Sequence, residues 1–368
     1  MKRFIFWVLS SLLLAGIIAA VSIERVSAGP AAPNIETLEQ PDGVSFFARK
    51  WGDEWANGYE TLEGYAILQA PSGWWVFARL STEGQLEPAI IGGKQVPANL
   101  AAPASLQKHL RPAQIPTYPT IHRASPEGQN IGTQPTLVLL ASFSDRSGTY
   151  TAASFSSLVF STTSNSVRDY YLSASFNQLS LNAAAETHGT SNDGVVGWFN
   201  LGYAHPDTGA GVSVANQLIA KNVLIAADPY VNFALFDTNS DGYISQNELH
   251  LIVVVAGYER SYSNNSPSIW GHRDSFYDIT APTLDGKILG DPSHNGGYAQ
   301  IGEIHQNHQA TIGILIHELG HDLTWPDLYD IDGSSDGVGD WSIMGTGSWN
   351  YTGSNDYGTS PAFPDAWL

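Results

Sequence analysis

The chain has 368 residues, enough for about two domains, and 43% of them are hydrophobic, so a substantial core is available. Lys and Arg total 16 against 35 Asp and Glu, a formal net charge of -19; a surface of that sign repels nucleic acid and anionic membranes and argues against both as partners. No cysteine is present, which excludes disulfides, thiolate metal ligands and any latency device built on a cysteine. The acidic balance suits Ca²⁺ binding and export, or simple solubility.

At the N-terminus, Lys2 and Arg3 precede an apolar run from Phe4 to Val21, and Val26-Ser27-Ala28 supplies small residues. These are the parts of a signal peptide over 1–28, cleaved after Ala28; the alternative is an uncleaved anchor, since the run approaches spanning length. Residues 29–43 are Pro/Ala-rich and read as extended. Residues 44–93 (SFFARKW, GYAILQA, GWWVFARL) alternate and are aromatic-rich, which predicts short strands, with Trp51, Trp55, Trp74 and Trp75 as core. Residues 94–126 are rich in Pro and Ala and read as a linker or processing region, with a short helix near Ala104–Leu110. A β-rich unit and linker over 29–126 thus precede a second domain over 127–368.

In that domain Thr136–Phe143 predicts a buried strand, Asn165–Ala174 a helix, and Val212–Ala226 an amphipathic helix. The run Asp237-Thr-Asn-Ser-Asp-Gly-Tyr-Ile-Ser-Gln-Asn-Glu248 follows the twelve-residue calcium loop. Asp237, Asn239 and Asp241 offer oxygens at positions one, three and five; Gly242 makes the sharp turn, Tyr243 offers its carbonyl, Ser245 stands at nine and Glu248 closes the loop. Leu251–Gly257 after it reads as strand, so the expectation is a structural Ca²⁺ rather than a switching helix pair.

Ala310–Leu323 reads as a helix carrying His317-Glu318-Leu319-Gly320-His321. Two histidines four apart on a helix project from nearly one face, which suits two imidazoles on one Zn²⁺ with Glu318 activating water. Catalytic zinc takes three protein ligands and one open position. No histidine follows His321 and no glutamate follows Glu318; among the downstream aspartates Asp327 is best placed beyond the Pro326 break, with Asp330 as runner-up. Met344, in Trp341-Ser342-Ile343-Met344-Gly345, stands in a glycine-rich segment, as does the methionine turn of metzincins. His250, His272, His305 and His308 read as structural. Tyr351 and Tyr357 follow the methionine and could donate to a developing oxyanion.

HELGHDLTWPDLYD with DWSIMGTGSWN resembles the immune-inhibitor-A-like family of secreted bacterial metallopeptidases of the metzincin clan. LVLLASFSDR, NSVRDYYLSASFNQLSL and SIWGHRD extend the likeness, and GDEWANGYETLEGYAILQAPSGWWVFA resembles that family's prodomain. The resemblance implies His317, His321 and Asp327 as zinc ligands and Glu318 as general base, in the pattern HExxHxxGxxD. One departure is that the family's glycine falls on Thr324: either Thr324 takes a positive φ, or the helix ends differently. A second is the end at Pro361–Leu368, where the family continues; the expectation is a truncated chain.

The expected fold is α/β, a metzincin-like catalytic domain with a mixed twisted sheet, zinc helix and Met-turn, preceded by a small β-rich prodomain. The expected activity is zinc-dependent, calcium-stabilised hydrolysis of proteins or peptides by an exported enzyme, with its own prodomain as inhibitor. Asp53 in GDEW is a candidate carboxylate for holding the enzyme latent. The alternatives are a zinc hydrolase of non-peptide amides and an inactive calcium-binding module.

Overall fold

The computed structural model describes residues 29–112 and 131–368, apart from 164, 293–295, 331–334, 336, 354–355 and 367. The leader expected over 1–28 and residues 113–126 of the expected linker lie outside the described residues. Among the described residues no helix is long and apolar enough to cross a membrane.

The N-terminal unit is an antiparallel six-stranded sheet in sequence order: Ile35–Glu39, Ser45–Gly52, Asn57–Thr61, Ala66–Gln69, Trp75–Leu80 and Leu86–Pro88. Alternation drives it: in the first strand Leu38 turns inward while Ile35 faces out. Leu38, Ala48, Tyr59, Ile67, Trp75 and Phe77 form its core, with Trp51 also buried. The short helix expected near 104–110 does not form. Leu106 makes a single turn back to Pro103 O, and His109 takes φ +52; one isolated turn cannot repay the cost of helix nucleation.

The second unit is a mixed sheet with helices on both faces. Its strands are β1 (Gly132–Ser142), β2 (Leu179–Ala183), β3 (Val195–Asn200), β4 (His250–Glu259), β5 (His272–Asp274) and β6 (Tyr298–His305). The order is β2-β1-β4-β6-β5, with β3 also on β1 and the two-residue strands Ser268–Ile269 on β4 and His308–Gln309 on β6; the pairings are parallel except those of the edge strand β5 and of His308–Gln309 with β6. Helices α1 (Ala152–Phe160), α2 (Val167–Ala174), α3 (Val214–Ala227) and α4 (Ile312–Asp322) cover it. Ser166 caps α2 through Asp169 N–H, and Ser213 with Asn216 forms a capping box on α3.

Because β1 and β4 are buried on both faces, they read as continuous apolar runs. Val138, Leu140, Ile252 and Val254 meet α1, α2 and α4 on one side. Leu137, Leu139, Leu251 and Val253 meet α3 on the other. The sheet is therefore the middle of three layers. Leu139→Ala and Leu140→Ala, adjacent in sequence but on opposite faces, should each cost about 2–5 kcal/mol in denaturant unfolding. A neutral result for either would mean that its face is open.

Candidate metal centre

Helix α4 is buried along its whole length. Ile314, Leu315, Ile316 and Leu319 pack it into the core beneath the sheet, and Tyr171 of α2 donates its hydroxyl to Ile316 O at 2.8 Å. A Cβ at Gly320 would stand 2.6 Å from Met344 Sδ, so glycine there lets the buried methionine close against the helix.

The helix ends in a Schellman motif. Thr324 N–H bonds His321 O and Trp325 N–H bonds Gly320 O, both at 2.9 Å, while Thr324 adopts φ +72. Of the two alternatives posed by Thr324, the structure takes the strained one. The left-handed residue reverses the chain so that Trp325 O lies 2.8 Å from His321 Nδ1, and Asp327 follows back over the helix.

Three side chains then converge. His317 Nε2 and His321 Nε2 are 3.1 Å apart, and Asp327 Oδ1 lies 3.1 Å from the first and 3.2 Å from the second. Among the described residues this is the one group of three His, Asp or Glu ligand atoms within 4.8 Å of one another. Ile343 O, 2.9 Å from His317 Nδ1, and Trp325 O can only accept, so both Nδ1 atoms carry the protons. In neutral rings both Nε2 lone pairs therefore face each other and a carboxylate. Burial, the largest influence, lowers the His317 pKa and favours that neutral form. For Asp327, burial alone would raise the pKa, whereas positive charge on His321 and His317 holds it below the usual carboxylate range, so the carboxylate is stabilised as an anion only with positive charge at the centre. Two lone pairs and an anion at such spacing call for a cation. Ligand atoms on a tetrahedral zinc stand about 3.3 Å apart, so the donor set, the tautomers and the spacing fit that metal.

The Met344 segment supports this cluster from below. Ile343 O orients His317, Met344 O accepts Leu328 N–H at 2.8 Å just past Asp327, and the Met344 side chain is fully buried. Asp330 lies outside the triplet and accepts the Ser335 N–H. The tyrosine beside the triplet is Tyr329, its ring centroid 6.3 Å from that of His317. Tyr351 instead packs edge-on against Tyr357 at 4.7 Å and is half exposed.

Glu318 is fully buried. Burial first, then the charge of Asp327, push its pKa well above the usual value. Its Oε1 accepts Gly29 N–H at 2.8 Å. The segment around Gly29 is itself pinned: Trp270 Nε1 donates to Gly29 O at 3.1 Å, Trp349 Nε1 to Pro30 O at 2.8 Å, and Ala32 N–H to Ser261 O at 2.8 Å. The N-terminal unit thus reaches Glu318 through backbone. Asp53 is occupied in a turn, its Oδ1 accepting Trp55 and Ala56 N–H at 2.8 and 2.9 Å, with Oδ2 3.5 Å from the Tyr329 hydroxyl. Its neighbour Glu54 is the acid that feels the centre. Burial, then Asp53, then Asp327 raise its pKa well above normal. The sequence carried no signal for Gly29, Glu54 or Tyr329 beyond their nearness to recognisable segments.

His272 is buried with Nδ1 2.7 Å from Trp270 O, and burial depresses its pKa to about 4. His305 stacks on Tyr262 at 4.2 Å and burial pushes its pKa well below the usual value, while His250 contacts Asp322.

The 237–248 loop has the turn that its spacing predicts. Gly242 takes φ +90, and its N–H and that of Asp241 bond Asp237. Glu248 Oε1 accepts Thr238 and Asn239 N–H, and Oε2 accepts Ser245 N–H. The cation against Asp237 is Lys287, whose Nζ lies 2.6 Å from Oδ2.

With this geometry in view, the fold and centre define a metallopeptidase-type α/β domain. Residues 130–368 match the immune inhibitor A peptidase M6 catalytic domain, and the chain belongs to that family, which is one of metal-dependent peptidases. The Vibrio cholerae serotype O1 pre-pro-metalloprotease PrtV is 28% identical over 208 residues, 50% of this chain and 21% of the relative. Immune inhibitor A of Bacillus thuringiensis subsp. alesti is 29% identical over 125 residues, 32% of this chain and 18% of the relative. The chain spans about a fifth of the length of these curated relatives.

The strained turn gives a direct test. A left-handed non-glycine residue costs about 1–2 kcal/mol, and glycine loses about 0.5–1 kcal/mol more chain entropy on folding. Thr324→Gly should therefore stabilise the protein by up to about 1 kcal/mol, seen as a higher denaturation midpoint. A lower midpoint would show that Thr324 makes contacts worth more than its strain.

Proposed function

We propose that this chain is an exported, zinc-dependent endopeptidase of metzincin type, made as a precursor whose N-terminal β unit keeps it latent. The observation that carries the reading is the pair of Nε2 lone pairs aimed at Asp327, with Glu318 buried on the same helix. His317, His321 and Asp327 would hold the metal. Zinc, when bound, polarises a scissile carbonyl and acidifies water. Glu318 takes the proton from the attacking water and passes it to the leaving amine. The edge strand β5 is the element suited to pair with an extended peptide by β-augmentation, which favours protein and peptide substrates.

Latency rests on the Gly29–Ala32 segment. The Gly29 nitrogen, a terminal amine once the leader is cleaved after Ala28, engages Glu318 Oε1, and two tryptophans anchor Gly29 and Pro30 beside it, so this segment keeps the proposed base occupied. Asp53 and Glu54 lie in the hairpin turn beside it, with Asp53 reaching the Tyr329 hydroxyl. Export rests on the leader pattern over 1–28, and a structural calcium ion on the 237–248 loop spacing. A calcium ion there would displace the Lys287 ammonium from Asp237.

Three measurements test these parts. Glu318→Ala should keep zinc stoichiometry while casein hydrolysis falls by at least about 10²-fold; wild-type turnover in this variant would remove Glu318 from the reaction. Proteolytic excision of the 29–112 unit should raise chelator-sensitive activity, and an excised protein no more active than the intact chain would refute the latency reading. Lys287→Gln should bind Ca²⁺ more tightly by calorimetry, because a competing cation is gone. Weaker binding would mean that the lysine supports the loop rather than competing for it.

A further inference from the structure

The segment SIWGHRD is explained only in part by the site. Its Trp270 holds Gly29 and the Arg273 backbone borders Glu318, but the Arg273 side chain points elsewhere. Arg273 is buried, and its guanidinium bridges two groups: Nη2 donates to Gln246 Oε1 at 2.9 Å, and Nε to Asp322 Oδ1 at 3.4 Å. Gln246 lies inside the 237–248 loop. Asp322 immediately follows His321. The other oxygen of Asp322, Oδ2, lies 2.5 Å from His250 Nδ1, and His250 Nε2 in turn contacts Gln134 Oε1 on β1. His250 opens β4 two residues after Glu248, the last residue of the loop. Two separate connections therefore leave the loop, one by side chain through Gln246 and Arg273, one by backbone into His250. Both end on the two oxygens of one buried carboxylate in the last turn of α4.

We propose that Arg273 and His250 are positioning residues that act through Asp322, making the order of the 237–248 loop a determinant of how His321 is aimed. The inference rests on the zinc reading above and adds a regulatory handle to it. An α-helix turns about 100° per residue, so clamping the carboxylate of residue 322 fixes the rotation of the turn that carries residue 321. The His321 ring is then set twice, by Trp325 O at Nδ1 and by the clamp on its neighbour. Groups behind metal ligands govern affinity in this way, typically by 10–100-fold. A ligand that orders the loop would act on the metal centre over this route, and the effect would run both ways.

The test is a set of variants of the full chain: Arg273→Met, Gln246→Leu and the pair together. Each is read by zinc affinity against a competing chelator and by the visible spectrum of the Co²⁺-loaded protein. Arg273→Met should weaken zinc about tenfold and shift the Co²⁺ bands. Gln246→Leu should shift them in the same sense and add nothing further in the Arg273→Met background. Unchanged affinity and spectrum with a lowered unfolding midpoint would reduce Arg273 to a structural role and overturn the proposal, as would effects that simply add. Should Arg273→Met fail to fold, Gln246→Leu carries the test alone, since it leaves the Arg273–Asp322 contact in place. A wild-type chain that takes up neither metal would sink the zinc reading itself; a metal-binding wild type with insensitive variants sinks only this inference.

Discussion

Two imidazole lone pairs and one carboxylate oxygen facing each other inside the protein are the constraint around which the rest of this domain is arranged. No fold gains by bringing these groups together without a cation, because the nitrogens repel and the acid is drawn out of water. The surrounding elements hold them there nonetheless. Ile343 O and Trp325 O fix the two rings from behind. Gly320 admits Met344 beneath the helix. Thr324 accepts a left-handed backbone so that the chain can return with Asp327. Together they shape a pocket whose donor set a metal ion would fit.

The housing depends on the layers outside it. Helix α4 can bury every residue because the sheet supplies an apolar face in Val138, Leu140, Ile252 and Val254. The opposite face, covered by α3, is equally apolar, so the sheet cannot shift to relieve strain at the centre. The loop-rich stretch after α4 has little regular structure of its own. A backbone hydrogen bond from Leu328 N–H to Met344 O ties it to the methionine segment, and Val338 N–H closes back on Leu328 O.

Much of this was legible in the residues. The helical spacing of HELGH, the continuous apolar run of β4 and the alternation of the N-terminal strands are periodic signals, and each element formed within a few residues of where its pattern placed it. What escaped had no period to show. In α1 only Phe155 and Val159 are buried, too few to mark a face. Strand β5 is three residues long, below the length at which alternation means anything. The 104–110 segment had helix-forming residues but only one turn to use them in. At the centre, ligand types and spacing pointed to Asp327. The approach of Gly29 to Glu318 spans 289 positions and rests on a backbone N–H, which every residue but proline owns, so nothing in the local composition could announce it.

The ammonium of Lys287 against Asp237 has a consequence for how its turn closes. A turn carrying Asp237, Asp241 and Glu248 is self-repulsive as it closes. Lys287, on the short strand Lys287–Leu289 that pairs with Tyr243–Ile244, lends a positive end on a flexible stem and partly neutralises that turn from within. The turn is thus closed with its cation supplied by the chain itself, on a side chain that can swing away while the loop backbone stays hydrogen-bonded to Asp237 and Glu248.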